Sequence, residues 1–203
     1  TDSPEYRTLT QATFIDLYKK GLIYEDLRVN NWDPKLQTTI ADSEIDYKEL
    51  PSTFNDVIWK VKETKEEIII ATTRPELIGS CGMVIFHPSD KRYKHLEGKT
   101  AISPIFNKEI KIKSHNFADK EKGSGIVMMC SAGDLTDIQF FREMKLKTII
   151  SINKDGTMNE NAGLLKGLKV KEAREKIIEL LKKEGKIKAQ KQISHRTPVS
   201  ERS

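Results

Sequence analysis

The chain contains no run of eighteen apolar residues, and no basic segment leads into an apolar stretch with a small-residue cleavage site. A membrane-spanning helix is thereby excluded, and a soluble, cytoplasmic protein with no membrane partner is the expectation. Cysteine is scarce: Cys81 and Cys130 stand far apart, with no CxxC pair. The four histidines, His87, His95, His115 and His195, fall in no HExxH or comparable frame and read as lone surface residues. A zinc site would need ligands that are not there, so a reduced protein without metal is expected. A phosphate loop is missing too. Gly98-Lys99-Thr100 ends like one, but Tyr93 occupies the position of its first glycine, which leaves a turn.

What is present suits a globular chain. The 203 residues, 37% hydrophobic and 32% charged, are enough for one generous domain or one domain with an appendage, either able to bury a core. Lys plus Arg number 35 against 30 Asp plus Glu, a net charge of +5. So small an excess, mostly interleaved with acids, fits nucleic-acid binding and fits a solvated lysine-rich surface equally well. The chain opens at Thr1 rather than at a methionine and is read as a fragment.

Along the chain, Leu9, Phe14, Leu17 and Tyr18 recur at helical spacing between Thr8 and Lys20, with Gly21 placed to close a helix. A turn-rich passage, Val29 to Pro34, leads through Thr38–Ala41 to Ile45, Tyr47 and a break at Pro51; a boundary falls near residue 45. Short β-rich runs follow: Val57–Val61, Glu67–Ala71, Gly82–Phe86, Glu109–Ile112, Gly125–Met129 and Thr148–Ile152. Several are continuously apolar, as strands buried on both faces are. One helix is predicted to start near Asp134 and run through Ile138, Phe141 and Met144. A second spans Val170 to Glu184, with Val170, Ala173, Ile177 and Leu181 on one face, i,i+4 pairs Glu172–Lys176 and Glu179–Lys183, and Gly185 as its end.

Two short segments carry candidate chemistry. Thr72-Thr73-Arg74-Pro75-Glu76 directly follows a strand, so two hydroxyls and a guanidinium would sit at a strand end, a usual place for a site. A plain strand-to-helix junction, with Thr73 as cap and Pro75 in the first turn, accounts for the same residues. In Cys130-Ser131-Ala132-Gly133-Asp134-Leu135-Thr136-Asp137, the helix spacing puts Asp134 and Asp137 on one side of a helix start. Such a pair can hold an ammonium group or a hydroxyl, and it is also how an ordinary helix is capped.

Taken together, in order, these segments resemble the editing insertion of valyl-tRNA synthetases. The resemblance takes in Ala71–Glu76, the His87–Lys99 stretch, Gly123–Val127, Asp134–Asp137, Asn153–Glu160, Ala162-Gly163 and the Glu172-Ala173-Arg174 helix. On the flanks it takes in Ser3–Tyr6, Gly21–Tyr24 and Asn31–Thr38, so it covers essentially the whole chain. The isoleucyl and leucyl enzymes carry homologous insertions; the Thr-Thr-Arg-Pro-Glu form and the tyrosine in the His87–Lys99 stretch look valyl. Met128 stands where a lysine is typical and Cys130 where a threonine is typical, and Cys-Ser-Ala-Gly-Asp looks closer to an archaeal-type variant.

The resemblance implies an α+β fold, a compact β-barrel-like editing core flanked by helices, with a short connector formed by the two chain ends. Residues 1–45 would lead in from the catalytic core, 46–190 would form the editing domain and 191–203 would return. The activity implied is hydrolysis of the ester bond of tRNA(Val) mischarged with threonine, with the tRNA acceptor end and the rest of the synthetase as partners. A tRNA-binding module without turnover when detached, or the editing domain of an isoleucyl or leucyl enzyme, is the alternative. No cofactor belongs to this segment: ATP and magnesium serve the parent enzyme, whose His-Ile-Gly-His and Lys-Met-Ser-Lys-Ser motifs are absent here.

A pocket for valine rejects threonine by only about a hundredfold, a figure established for valyl enzymes as a class, so a second site must hydrogen-bond the threonine hydroxyl. The implied catalytic set is Asp137 on the substrate ammonium, Asp134 on the side-chain hydroxyl, and Thr72 and Thr73 near the terminal adenosine and carbonyl. Arg74, Glu76, Met128 and Cys130 would lie against the substrate, Arg74 steadying the 3′ end or pinning neighbouring acids. No serine or cysteine stands beside an evident histidine base, so direct attack by a positioned water is expected, with Cys130 a small apolar filler rather than a nucleophile. Lys111, Lys113, Lys120, Lys122 and the Lys182–Lys191 cluster are candidate phosphate contacts.

Overall fold

The computed structural model describes residues 2–25 and 29–203, and the chain divides into two units, residues 1–30 and 31–203. In the first unit, helix α1 (Pro4–Lys19) starts earlier than its apolar spacing suggests, because Ser3 caps it and Pro4 occupies its first turn. Gly21, at φ +69°, ends it, with the Leu22 amide donating to the Leu17 carbonyl. None of its side chains is buried. Among the described residues no helix is long and apolar enough to cross a membrane.

The second unit begins with a small hairpin, β1 (Asn31–Asp33) and β2 (Thr38–Ile40). Strand β3 (Ile45–Val61) is far longer than the Val57–Val61 run. Pro51 was expected to break the chain but lies inside it. Along that stretch β3 pairs only with the last strand, β4 joining from Asn55 onward, so the ring needs to donate nothing on its open edge. Next come β4 (Glu67–Thr72), β5 (Cys81–Phe86), β6 (Thr100–Ile102), β7 (Glu109–Ser114) and β8 (Ile126–Cys130). Helices α2 (Leu135–Glu143) and α3 (Val170–Lys183) precede β9 (Ile187–Ser200). The sheet order is β4-β3-β6-β7-β5-β8, with β9 along β3; only β5 and β7 run parallel. The sheet curls until β8 lies against β4, which makes the α+β, barrel-like core that was expected.

Burial explains the sequence patterns strand by strand. Val57, Trp59 and Val61 of β3, Ile68 and Ile70 of β4 and Ile110 and Ile112 of β7 alternate into the main core. Strands β5 and β8 are continuously apolar because both their faces are covered. Val84, Phe86, Ile126 and Met128 enter the main core, whereas Met83, Ile85 and Met129 pack on Phe140 and Phe141 of α2. Gly82 is required there, since a Cβ would run into the Phe141 ring. Helix α3 closes the main core with Ala173, Ile177 and Leu181.

Two local expectations change. Thr148–Ile152 is not a strand; only Ile152 bridges, to Met158. Side chains occupy its backbone instead: Asn159 and Asn161 both donate to the Ile150 carbonyl, and Ser131 Oγ accepts from the Ile149 amide. On α3, Glu172 turns back to accept from the Lys169 amide and Lys176 pairs with Glu179, replacing the predicted i,i+4 pairs. Because Ile177 is fully buried where α3 seals the core, Ile177→Ala should cost about 2–5 kcal/mol in denaturant unfolding, with an unchanged slope.

Candidate active site

The site assembles where β4, β8 and α3 converge. Thr72 ends β4 and is held there by Asn55 of β3, whose fully buried amide donates to the Thr72 carbonyl at 3.2 Å and accepts from Gln190 of β9 at 2.7 Å. The chain then turns. Thr72 Oγ1 accepts from the Arg74 amide at 3.0 Å, and Pro75 enters a 3-10 turn, Pro75–Ser80. Thr72 rather than Thr73 thus supplies the hydroxyl that holds the chain at this corner, while Arg74 is the cap residue of the 3-10 turn and no side chain bonds to its first amides. Thr73 is half-buried at the same strand end, and its hydroxyl has no hydrogen-bond partner among the described residues.

Glu76 has no exposed side-chain surface. Arg174 of α3 grips it with a fork, Nε to Oε2 at 3.0 Å and Nη2 to Oε1 at 2.8 Å, while Arg74 Nε reaches Oε1 at 3.2 Å. This leaves Arg74 Nη1 free to donate to the Gly133 carbonyl at 2.7 Å. A carboxylate out of water is tolerable only when its oxygens are filled by such charge-assisted bonds. Glu76 therefore reaches any substrate only through Arg74.

The turn after β8 carries the two aspartates. Asp134 caps α2, its Oδ1 accepting from the Asp137 amide at 2.8 Å, and Asp137 Oδ1 in turn accepts from the Cys130 amide at 2.8 Å. Gly133 fits closely over Asp137: a Cβ there would collide with Oδ2. Asp134 is exposed and Asp137 half-buried. Burial, and then the neighbouring Asp134 charge, push the Asp137 carboxyl up to about 7, against the opposing pull of the Cys130 and Asp134 backbone contacts and of Arg74. An incoming cation would favour its ionised form, so Asp137 is a carboxylate short of positive charge.

Met128 and Cys130 both point from β8 into the main core. Cys130 lies directly across from Cys81 of β5, and both thiols are free and buried. Its hydrogen bond with Cys81, burial and the Asp137 charge push the Cys130 thiol well above its ordinary range, so it stays protonated and weakly nucleophilic. Sequence reasoning brought Thr72, Arg74, Glu76, Asp134 and Asp137 into one candidate set and the fold brings them to one place. It passed over Asn55, Gly133 and the pairing of Arg174. The only advance sign of the last is an arginine set between buried Ala173 and Ile177 on α3.

The raised Asp137 carboxyl couples stability to pH. In the unfolded chain it ionises near 3.8, in the fold at about 7. Between those values the folded protein keeps a proton that the unfolded chain has released, so this group's contribution falls as pH rises through the window and is level above it. The Tm of the wild type relative to Asp137→Asn should therefore decline between about pH 4.5 and about pH 7.5. A pH-independent difference between the two would show that Asp137 titrates normally.

Comparison with known proteins bears on the family and the fold. Residues 1–192 match the family model described as tRNA synthetases class I (I, L, M and V). Valine–tRNA ligase of Aeropyrum pernix is 46% identical over 98% of this chain and 24% of its own length. That of Nanoarchaeum equitans is 46% identical over 100% and 27%, and that of the bacterium Rickettsia akari 43% over 100% and 25%. The chain thus spans about a quarter of the length of the curated relatives it matches. Among solved structures, LeuRS of Agrobacterium radiobacter K84, in ternary complex with tRNA and LeuAMS, superposes with a TM-score of 0.55 at 17% identity, covering 98% of this chain and 33% of that one. That likeness is one of fold. With the family model running through both units and identities above 40% to valine–tRNA ligases from end to end, the chain belongs to the class I tRNA synthetases, among its valine–tRNA ligase relatives.

Proposed function

We propose that this chain is the editing module of a valine–tRNA ligase and hydrolyses the ester of tRNA(Val) carrying threonine. The observation that supports the reading is Asp137: a half-buried carboxylate, lacking a full counter-charge, fixed at a helix start beside a second carboxylate and a strand end bearing free hydroxyl chemistry. The α-ammonium of an aminoacyl ester supplies the missing charge, and every amino acid has one, so this contact orients without selecting. Selection falls to Asp134, whose carboxylate at the rim can accept from a threonine hydroxyl; it is exposed in the free chain, so it discriminates against valine only where the bound acceptor end shields it from water.

Hydrolysis needs a water placed on the ester carbonyl and donors for the oxyanion. Thr73, with its uncommitted hydroxyl, can donate, and so can Thr72 from the hydroxyl that accepts from Arg74. Cys130 acts as filler. The relatives' greater length supports reading residues 1–45 and 191–203 as connectors, the latter within the ribbon that β9 makes along β3.

A second reading, acceptor-end binding without turnover, draws on a groove of about 680 Å³ lined by Phe54, Tyr93, Arg92, Lys188 and Lys191 together with the acids Asp56 and Glu67. Rings and cations in that mixture suit single-stranded nucleic acid. Incubation with Thr-tRNA(Val) and Val-tRNA(Val) separates the readings. Ester loss confined to the threonyl form, slowed by about a hundredfold or more in Asp137→Ala, is expected; binding with background hydrolysis would leave only the second. Cys130→Ala should keep full hydrolysis, and its loss would restore the thiol as a nucleophile.

A further inference from the structure

Arg174 lies one helix away from the aspartates, and among the described residues its guanidinium bonds only to Glu76. We propose that Arg174 is a positioning residue for the hydrolytic site: through the buried Glu76 it keeps Arg74 on the Gly133 carbonyl, and so keeps in place the turn that delivers Asp137. The inference rests on reading that site as hydrolytic.

The geometry divides the work between the two arginines. Arg174 fills both oxygens of Glu76, whereas Arg74 spends one nitrogen on Oε1 and has Nη1 left for Gly133. Without the Arg174 fork, Oε2 of a fully buried carboxylate has no donor. The cation within reach is Arg74, and a guanidinium meets a bare carboxylate best with its own fork. Arg74 would then have to leave Gly133. The turn that Gly133 belongs to has no slack: its amide donates to the Cys130 carbonyl at 3.2 Å, and Asp137 Oδ2 lies where a Cβ would be. Displacement of the Gly133 carbonyl must therefore be felt at Asp137, and a shift near 1 Å in a positioned group is worth about a hundredfold in rate.

The charged and titratable groups around Asp137 give a readout that needs no substrate. They are Asp134 on its own helix start, the Cys130 thiol from β8 and Arg74 from the end of β4. Of these, Arg74 is the cation, and it lowers the Asp137 carboxyl; its withdrawal lets that carboxyl rise further.

The test uses the whole 203-residue chain and Arg174→Lys, which keeps the charge but lacks the fork. Carbon-13 NMR titration of the Asp137 carboxyl should show its midpoint displaced upward by about 0.5 pH units or more relative to wild type. With Thr-tRNA(Val), kcat should fall by about 10- to 100-fold with KM little changed. Adding Glu76→Gln to the variant should return the midpoint to the wild-type value, because a neutral amide still accepts from Arg74 Nε but no longer draws the guanidinium off Gly133. A folded Arg174→Lys protein that titrates as wild type overturns the proposal. Should that single variant not fold, Arg174→Gln, which lacks both the charge and the fork, decides: a midpoint displaced upward upholds the proposal and a wild-type one overturns it. If the wild type itself hydrolyses nothing, the functional reading fails, while the titration still decides the part played by Arg174.

Discussion

A carboxylate removed from water must find its full set of donors inside the protein, and Glu76 finds them on two arginines that arrive from different parts of the chain. Arg74 comes from the loop after β4 and Arg174 from α3, and the leftover guanidinium nitrogen of Arg74 reaches the turn after β8. Three elements distant in sequence are thereby tied at one buried point. Removing Arg174 takes the one donor from Oε2, whereas removing Arg74 leaves the fork on both oxygens in place. The arrangement makes the strand end, the helix and the aspartate-bearing turn keep one mutual geometry.

The sheet supplies the frame for that point. Because β5 and β8 are covered on both faces, the end of β8 is anchored by one core through Met128 and Cys130 and by another through Met129. Helix α2 packs its phenylalanines on the outer cluster, so its N-terminus, where Asp134 and Asp137 sit, is pinned from below. Asn55 performs the matching service at the end of β4, joining it to β9 through Gln190. The aspartates thus stand at the head of a helix whose phenylalanines are packed on the sheet.

Function in this reading depends on an imbalance. Burial and the neighbouring Asp134 charge raise the Asp137 carboxyl to about 7, and Arg74, engaged by Glu76 and the Gly133 carbonyl, only partly offsets them. Under the proposed function, a substrate ammonium would supply the positive charge that the site lacks. Full neutralisation by a nearby arginine would have held Asp137 ionised and occupied, with less to gain from a ligand. Met128 and Cys130 fit the same picture, since the side chains of both are packed in the apolar core and neither brings a charge to the carboxylates.

Elements whose signal is local were legible in the sequence: α3 from its apolar face, α2 from its capping aspartate, β4, β5, β7 and β8 from short β-rich runs, and the family from motifs in their order. Each follows from periods of two or about 3.6 residues, or from a few adjacent side chains. The continuous run Thr148–Ile152 misled, because apolar content does not reveal that side-chain amides will take its backbone bonds. Pro51 misled likewise, since whether a proline breaks a strand depends on which edge faces a neighbour. Only the tertiary structure decided that Glu76 is buried, that its partner is an arginine 98 residues away, and that Asp137 ionises near 7. Those properties arise from what the folded chain places beside a charge and from how much water it removes, and no local pattern of residue types encodes either.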